Sequence, residues 1–218
     1  MATRRLIVFD LDGTLVDSRR DLAESANAVL GQSGCGPLPE EAIGRLVGDG
    51  AATLVARAFE AAACRKPPDA LERFLAVYNS RLLKFTRPYP GIPKALTELA
   101  ARADLAVLTN KPLHATREIL HGLDLAMHFR SDWVLGGDGP FARKPDPAGL
   151  LHLASAADVT PAQTVLVGDS VIDWRTARAA GARACLARYG FGFDGFPVGE
   201  LRAEDQVVDE PAALACVL

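Results

Sequence analysis

The chain has 218 residues, is 49% hydrophobic and sets 24 Lys and Arg against 27 Asp and Glu, for a formal net charge of -3. That suffices for a full core, as one large domain or a domain with an insert. With no long run of one sign, it leaves neither a nucleic-acid nor a membrane footprint, and neither partner is expected. The opening residues hold only a short apolar run before an Asp, too little for a signal-peptide core or a membrane span, so the expected compartment is the cytoplasm. Cys35, Cys64, Cys185 and Cys216 are scattered with no CxxC pair, and the expectation is four reduced thiols rather than a zinc site or a disulfide framework.

Leu6-Ile7-Val8 reads as a short buried strand running into Phe9-Asp10-Leu11-Asp12-Gly13-Thr14-Leu15. A helical pattern begins after Asp17-Ser18, with either residue able to cap it and Leu22, Ala26, Val29 and Leu30 at helical spacing. Further helical stretches follow at about 39–47, 50–63 and 69–85, broken at Gly48-Asp49-Gly50 and Pro67-Pro68. No strand is expected between 17 and 86, which reads as an all-helical insert. From Tyr89 onward strand and helix alternate. Strands are expected at 105–108, 133–135, 164–167, 184–187 and 206–209, with helices between them and a short helix at the end. Alternation of this kind predicts a parallel sheet. The expected fold is therefore α/β, a Rossmann-like parallel-sheet core (1–16 and 87–218) with a helical cap (17–86) inserted after the first strand.

Asp10 and Asp12, at i and i+2 just past a strand, point to the same side, and two like charges there call for a cation or a proton between them. Other strands end in Thr109-Asn110 and in Gly168-Asp169-Ser170, with Asp173 one turn into the next helix. In an open parallel sheet ligands bind outside these carboxyl edges, where strand order reverses. Four carboxylates, a hydroxyl and a Lys make a site for a hard divalent cation and an anion, which suggests phosphoryl transfer.

These residues resemble the haloacid dehalogenase superfamily, whose phosphatases carry four motifs that match here, in order, Asp10-Leu11-Asp12-Gly13-Thr14, Thr109, Lys144-Pro145, and Gly168-Asp169-Ser170 with Asp173. The resemblance implies that Asp10 is the nucleophile of an aspartyl-phosphate and Asp12 the general acid and base. It further implies Mg²⁺ on Asp10, the Asp12 carbonyl and Asp169 with Asp173 nearby, phosphate held by Thr109 and the Asn110 amide, and Lys144 neutralising charge. Asp12 sets the chain apart from the dehalogenase branch. Val47-Gly48-Asp49-Gly50-Ala51, Thr109-Asn110-Lys111-Pro112, and Gly136-Gly137-Asp138 with Lys144-Pro145-Asp146-Pro147 resemble bacterial phosphoglycolate phosphatases. One departure is Ile172, where relatives commonly have Asn.

Lys111 competes with Lys144 for the catalytic role; motif order favours Lys144 and leaves Lys111 as a loop residue near the mouth. His114, His121 and His128 lie two helical turns apart, too far to share an ion, and are expected at the surface or in packing. Trp133, Trp174, Phe191, Phe193 and Phe196 read as core or loop anchors, and Asp138 as a turn cap. The expected partner is a small phosphorylated metabolite, and the protein a monomer or homodimer. The cap helix start at Gly48 and Gly50 offers backbone N–H groups to a small anion such as the phosphoglycolate carboxylate; Arg45 and Arg57 flank it. A β-phosphoglucomutase-type phosphomutase, a phosphatase for another sugar phosphate or pyrophosphate, and a non-catalytic binding protein are the alternatives.

Overall fold

Residues 5–218 are described by a computed structural model, so the first four residues of the expected core lie outside it. The chain runs through β1 (Leu6–Phe9), β2 (Val16–Asp17), four helices α1 (Arg19–Gln32), α2 (Glu40–Gly44), α3 (Ala51–Ala61) and α4 (Ala70–Asn79), then β3 (Arg87–Pro88). It continues as α5 (Ile92–Ala100), β4 (Asp104–Leu108), α6 (Leu113–Gly122), β5 (Val134–Leu135), α7 (Ala148–Ala156), β6 (Thr164–Gly168), α8 (Val171–Ala180), β7 (Arg183–Ala187), β8 (Gln206–Val208) and α9 (Leu214–Val217).

Six strands form one parallel sheet in the order β5-β4-β1-β6-β7-β8. The central strands are apolar on both faces because both are covered, which is why they read as continuous hydrophobic runs. Leu6, Val8, Ala106, Leu108 and Leu166 pack against Leu150 and Leu153 of α7 and Trp174 and Ala177 of α8. Ile7, Phe9, Val107 and Val167 face Ile92, Leu96 and Leu99 of α5 and Ile119 and Leu120 of α6. Trp133 and Trp174 are core residues, as expected. The chain leaves β1 for β4 on one side and later returns to β6 on the other, so β1 is the point where strand order reverses.

Helices α2, α3 and α4 are shorter than their sequence patterns while α1 runs on to Gln32, and two elements were not expected. Val16–Asp17 and Arg87–Pro88 pair antiparallel as a two-stranded ribbon where the cap joins the core; strands of two residues carry no readable periodicity. Ser18 occupies the cap position of α1, but its hydroxyl donates to Asp12 (2.5 Å) and it makes no capping bond. Asp17 instead accepts the Arg19 backbone N–H (3.1 Å). Asp21 of α1 is fully buried and takes the N–H groups of Phe85 and Thr86 and the Thr86 hydroxyl, each at 2.8 Å, with Arg81 at 3.4 Å. One carboxylate thereby ties the first cap helix to the segment that leads back to the core.

The expectation of four reduced thiols is corrected: Cys35 and Cys64 form a disulfide, with Cα atoms 6.2 Å apart. They are 29 residues apart in sequence, and only the packing of α1 beside α3 brings the residues just past their ends together. Cys185 and Cys216 are free, the first buried and the second exposed. No helix among the described residues is long and apolar enough to cross a membrane.

Candidate active site

Asp10 follows β1 directly, its N–H on the Val167 carbonyl of β6 (2.9 Å), and this register brings the ends of β1, β4 and β6 together. Oxygens of Asp10, Asp169 and Asp173 converge within 4.8 Å, all three residues buried. Lys144 reaches in from the loop before α7, its ammonium 2.9 Å from Asp10 and 2.6 Å from Asp173. Three buried carboxylates against one ammonium leave a negative centre of oxygen donors, which fits a hard divalent cation. Burial pushes the Asp10 carboxyl up to about 6, outweighing the attraction of Lys144, and raises Asp169 well above the carboxylate range. Asp10 and Asp173 in turn hold Lys144 above the usual lysine range, against the effect of its own burial.

Close packing fixes these acids. Asp173 sits in the first turn of α8, where its second oxygen accepts the Ser170 N–H (3.1 Å) and hydroxyl (2.6 Å) in a capping box. Asp169 accepts the Gly192 N–H (2.7 Å). A Cβ on Gly13, where φ is 82°, would stand 1.8 Å from the Asp169 carboxylate, and one on Gly190 would stand 2.3 Å from Asp169 Cβ. Only glycine admits these approaches.

Asp12 departs from the cluster. Its carboxylate accepts the Lys111 ammonium at 2.8 and 3.0 Å and the Ser18 hydroxyl, so the structure separates it from Asp10, Asp169 and Asp173. Lys111 does lie in the loop after β4, but the expectation of a residue at the mouth is corrected. It is 6% exposed, drawn inward by Asp12 and by the Tyr78 ring of α4, whose centroid is 4.6 Å away. Asp12 and Tyr78 hold its ammonium above the usual lysine range, although burial acts the other way.

Thr109 is buried at the end of β4 and lines the cavity beside Asp10. The Asn110 side chain is a clamp: its amide donates to the Gly48 and Lys144 carbonyls (2.9 Å each), and its oxygen accepts the Lys144 N–H (2.9 Å). Gly48 and Gly50 line the cavity from the cap, and a Cβ at Gly50, where φ is 89°, would come 3.3 Å from the Asn110 carbonyl. A cavity of about 50 Å³, partly open to solvent, lies between Asp10, Asp12, Thr109 and Asp169 on one side and Val47, Leu54, Phe74 and Tyr78 on the other.

A family model of haloacid dehalogenase-like hydrolases matches residues 7–187. The chain belongs to that family. It is 42% identical over 208 residues to a phosphoglycolate phosphatase of Rhodospirillum rubrum, covering 91% of this chain and 85% of the relative. A plasmid-borne phosphoglycolate phosphatase of Cupriavidus necator is 36% identical over 219 residues, covering 97% and 92%. Among solved structures, a predicted phosphoglycolate phosphatase from Haemophilus somnus superposes with a TM-score of 0.88 at 30% identity, covering 100% of this chain and 99% of that one.

Within the family frame, Ile172 faces the cap: its Cδ1 would lie 3.2 Å from a Cβ on Gly48. Arg45 and Arg57 pair with Asp194 (3.0 Å) and Asp49 (2.5 Å). Asp138 accepts the Leu113 N–H (2.7 Å) at the start of α6, which ends at Gly122 before His128. Sequence reasoning missed Ser18, Tyr78 and the tail loop, whose Phe191 and Gly192 line the cavity. Glycines at 190 and 192, alternating with aromatics, were the available sign of a close approach.

Proposed function

We propose that this hydrolase is a Mg²⁺-dependent phosphatase that converts 2-phosphoglycolate to glycolate through an aspartyl-phosphate on Asp10, with residues 17–86 acting as a cap that closes over the site. The observation that carries this reading is the convergence of Asp10, Asp169 and Asp173, with Lys144 paired to Asp10 and Asp173, beside a small cavity. The names of the relatives support the substrate.

An Asp10 oxygen attacks phosphorus, and the ester oxygen leaves with a proton from Asp12. Asp12, now a carboxylate, takes a proton from a water that attacks the same phosphorus; phosphate departs and Asp10 is restored. Thr109 and the Asn110 N–H hold phosphate oxygens, and Lys144 offsets the charge that builds on them. Asp10, the Asp12 carbonyl and Asp169, with Asp173 nearby, would hold Mg²⁺, which when bound neutralises the phosphoryl oxygens as a Lewis acid. The cap excludes bulk water. Backbone N–H groups at Gly48, Gly50 and the start of α3 receive the carboxylate end of the substrate.

The space beside Asp10 is narrow, about 50 Å³, and partly open to solvent, which suits a short ester. A bis-phosphorylated hexose would need a cationic grip for its second phosphate, and Arg45 and Arg57 are already paired. The test is kcat/KM with Mg²⁺ for 2-phosphoglycolate, p-nitrophenyl phosphate and a hexose phosphate, together with an assay for glucose 6-phosphate formed from β-glucose 1-phosphate. Phosphoglycolate should lead and no glucose 6-phosphate should form. Equal or reversed preference would overturn the substrate, and mutase activity would overturn the reaction.

A further inference from the structure

We propose that Lys111 is the charged receptor for the substrate's carboxylate, beside the backbone N–H groups at the start of α3, and that its present partner, Asp12, is a stand-in for that carboxylate. The proposal rests on the phosphatase reading above. Asp10, Asp12 and Asp169 line the cavity, and Lys111 is the cationic side chain among the described residues that line it with them. Lys144, beneath the floor, is already shared by Asp10 and Asp173. A phosphorylated acid brings a second negative group into this wall, and Lys111 is the cation there to meet it.

Three observations place the second anion at Lys111. The ammonium touches both oxygens of Asp12, two residues from Asp10, so a ligand spanning Asp10 and Lys111 is short. Tyr78, whose ring lies against the ammonium, is buried and lines the cavity, and its hydroxyl proton has no acceptor among the described residues. A buried donor left unmade is expensive, and a carboxylate on Lys111 would supply its acceptor. Gly50 and Ala51, at the start of the eleven-residue helix α3, line the same cavity and present backbone N–H groups. Much of the remaining wall, Leu22, Val47, Leu54, Phe74, Leu75 and Phe191, is apolar.

Exchange of partners couples recognition to chemistry. While both Asp12 oxygens lie on Lys111, neither is free to reach the leaving group. When a substrate carboxylate takes the ammonium, Asp12 is released beside the ester oxygen it must protonate. An ester without a carboxylate leaves the Lys111–Asp12 pair intact. Selectivity would therefore show in the rate as well as in binding.

The test compares 2-phosphoglycolate with ethyl phosphate, in which a methyl group replaces the carboxylate, using the full chain with Mg²⁺. Lys111→Met should lower the ratio of the two kcat/KM values by on the order of a hundredfold, as expected when one partner of a buried charge pair is removed. Lys111→Arg should keep much of that ratio. In an Asp10→Asn background, calorimetric affinity for 2-phosphoglycolate should weaken on Lys111→Met while that for ethyl phosphate does not. If the wild type prefers phosphoglycolate and Lys111→Met keeps the preference, both esters losing in proportion, Lys111 serves only to hold Asp12 and this proposal fails alone. A wild type without the preference overturns the substrate reading and this role together.

Discussion

At the scale of single residues two buried lysines meet the carboxylates of the site, Lys144 on Asp10 and Asp173 and Lys111 on Asp12. Lys144 lies between Asp10 and Asp173 and is 4% exposed, so removing its charge leaves buried carboxylates facing each other. Lys144→Met should cut kcat at least about a hundredfold, the loss expected for one electrostatic group acting on developing charge; steady-state kinetics at saturating Mg²⁺ reads this, and a change below tenfold would contradict the role. Asp10→Asn should leave less than about a hundredth of wild-type turnover, because an amide cannot attack phosphorus. The convergence of Asp10, Asp169 and Asp173 was legible, since two of them follow strands and the third lies one turn into the next helix; the roles of Asp12, Thr109 and Lys144 rest on the family resemblance. Lys111 was not legible. Its direction depends on Asp12 and on Tyr78, 33 residues earlier in the cap, and no local pattern records a partner that distant.

Among elements, the parallel strands and their order of appearance were readable because each is an apolar run followed by turn residues. The lengths of α2 and α4 and the β2–β3 ribbon were not, since ends and two-residue strands are set by tertiary contacts. The cap depends on two ties invisible in the sequence. Asp21→Ala would strand the Phe85 and Thr86 N–H groups and should cost about 3 kcal/mol, read from the urea midpoint against wild type. An unchanged midpoint would mean the carboxylate is dispensable. The Cys35–Cys64 link joins residues 29 apart in sequence, so Cys64→Ala under non-reducing conditions should lower stability by about 3.5 kcal/mol on the chain-entropy account, with no difference from wild type once both are reduced.

For the whole molecule, a sheet with its strand reversal at β1 gathers three buried acids at one point, and the folded chain needs positive charge there. Asp10 and Asp169 hold their protons more tightly when folded than when unfolded. Between the ordinary carboxylate range and about pH 6 the metal-free fold thus binds more protons than the unfolded chain, and the contribution of these groups to stability falls as pH rises through that window. Added Mg²⁺ should consequently raise Tm more at pH 7.5 than at pH 5, and an equal gain at both would mean that the acids are not its site. The most direct test of the central claim, that Asp10 carries the phosphoryl group to water, is to trap it. Asp12→Asn, mixed with p-nitrophenyl phosphate and Mg²⁺ and quenched in acid, should release a burst of nitrophenol without steady turnover and carry a phosphoryl adduct that fragmentation mass spectrometry assigns to Asp10. An adduct on another residue, or none while the burst occurs, would contradict it.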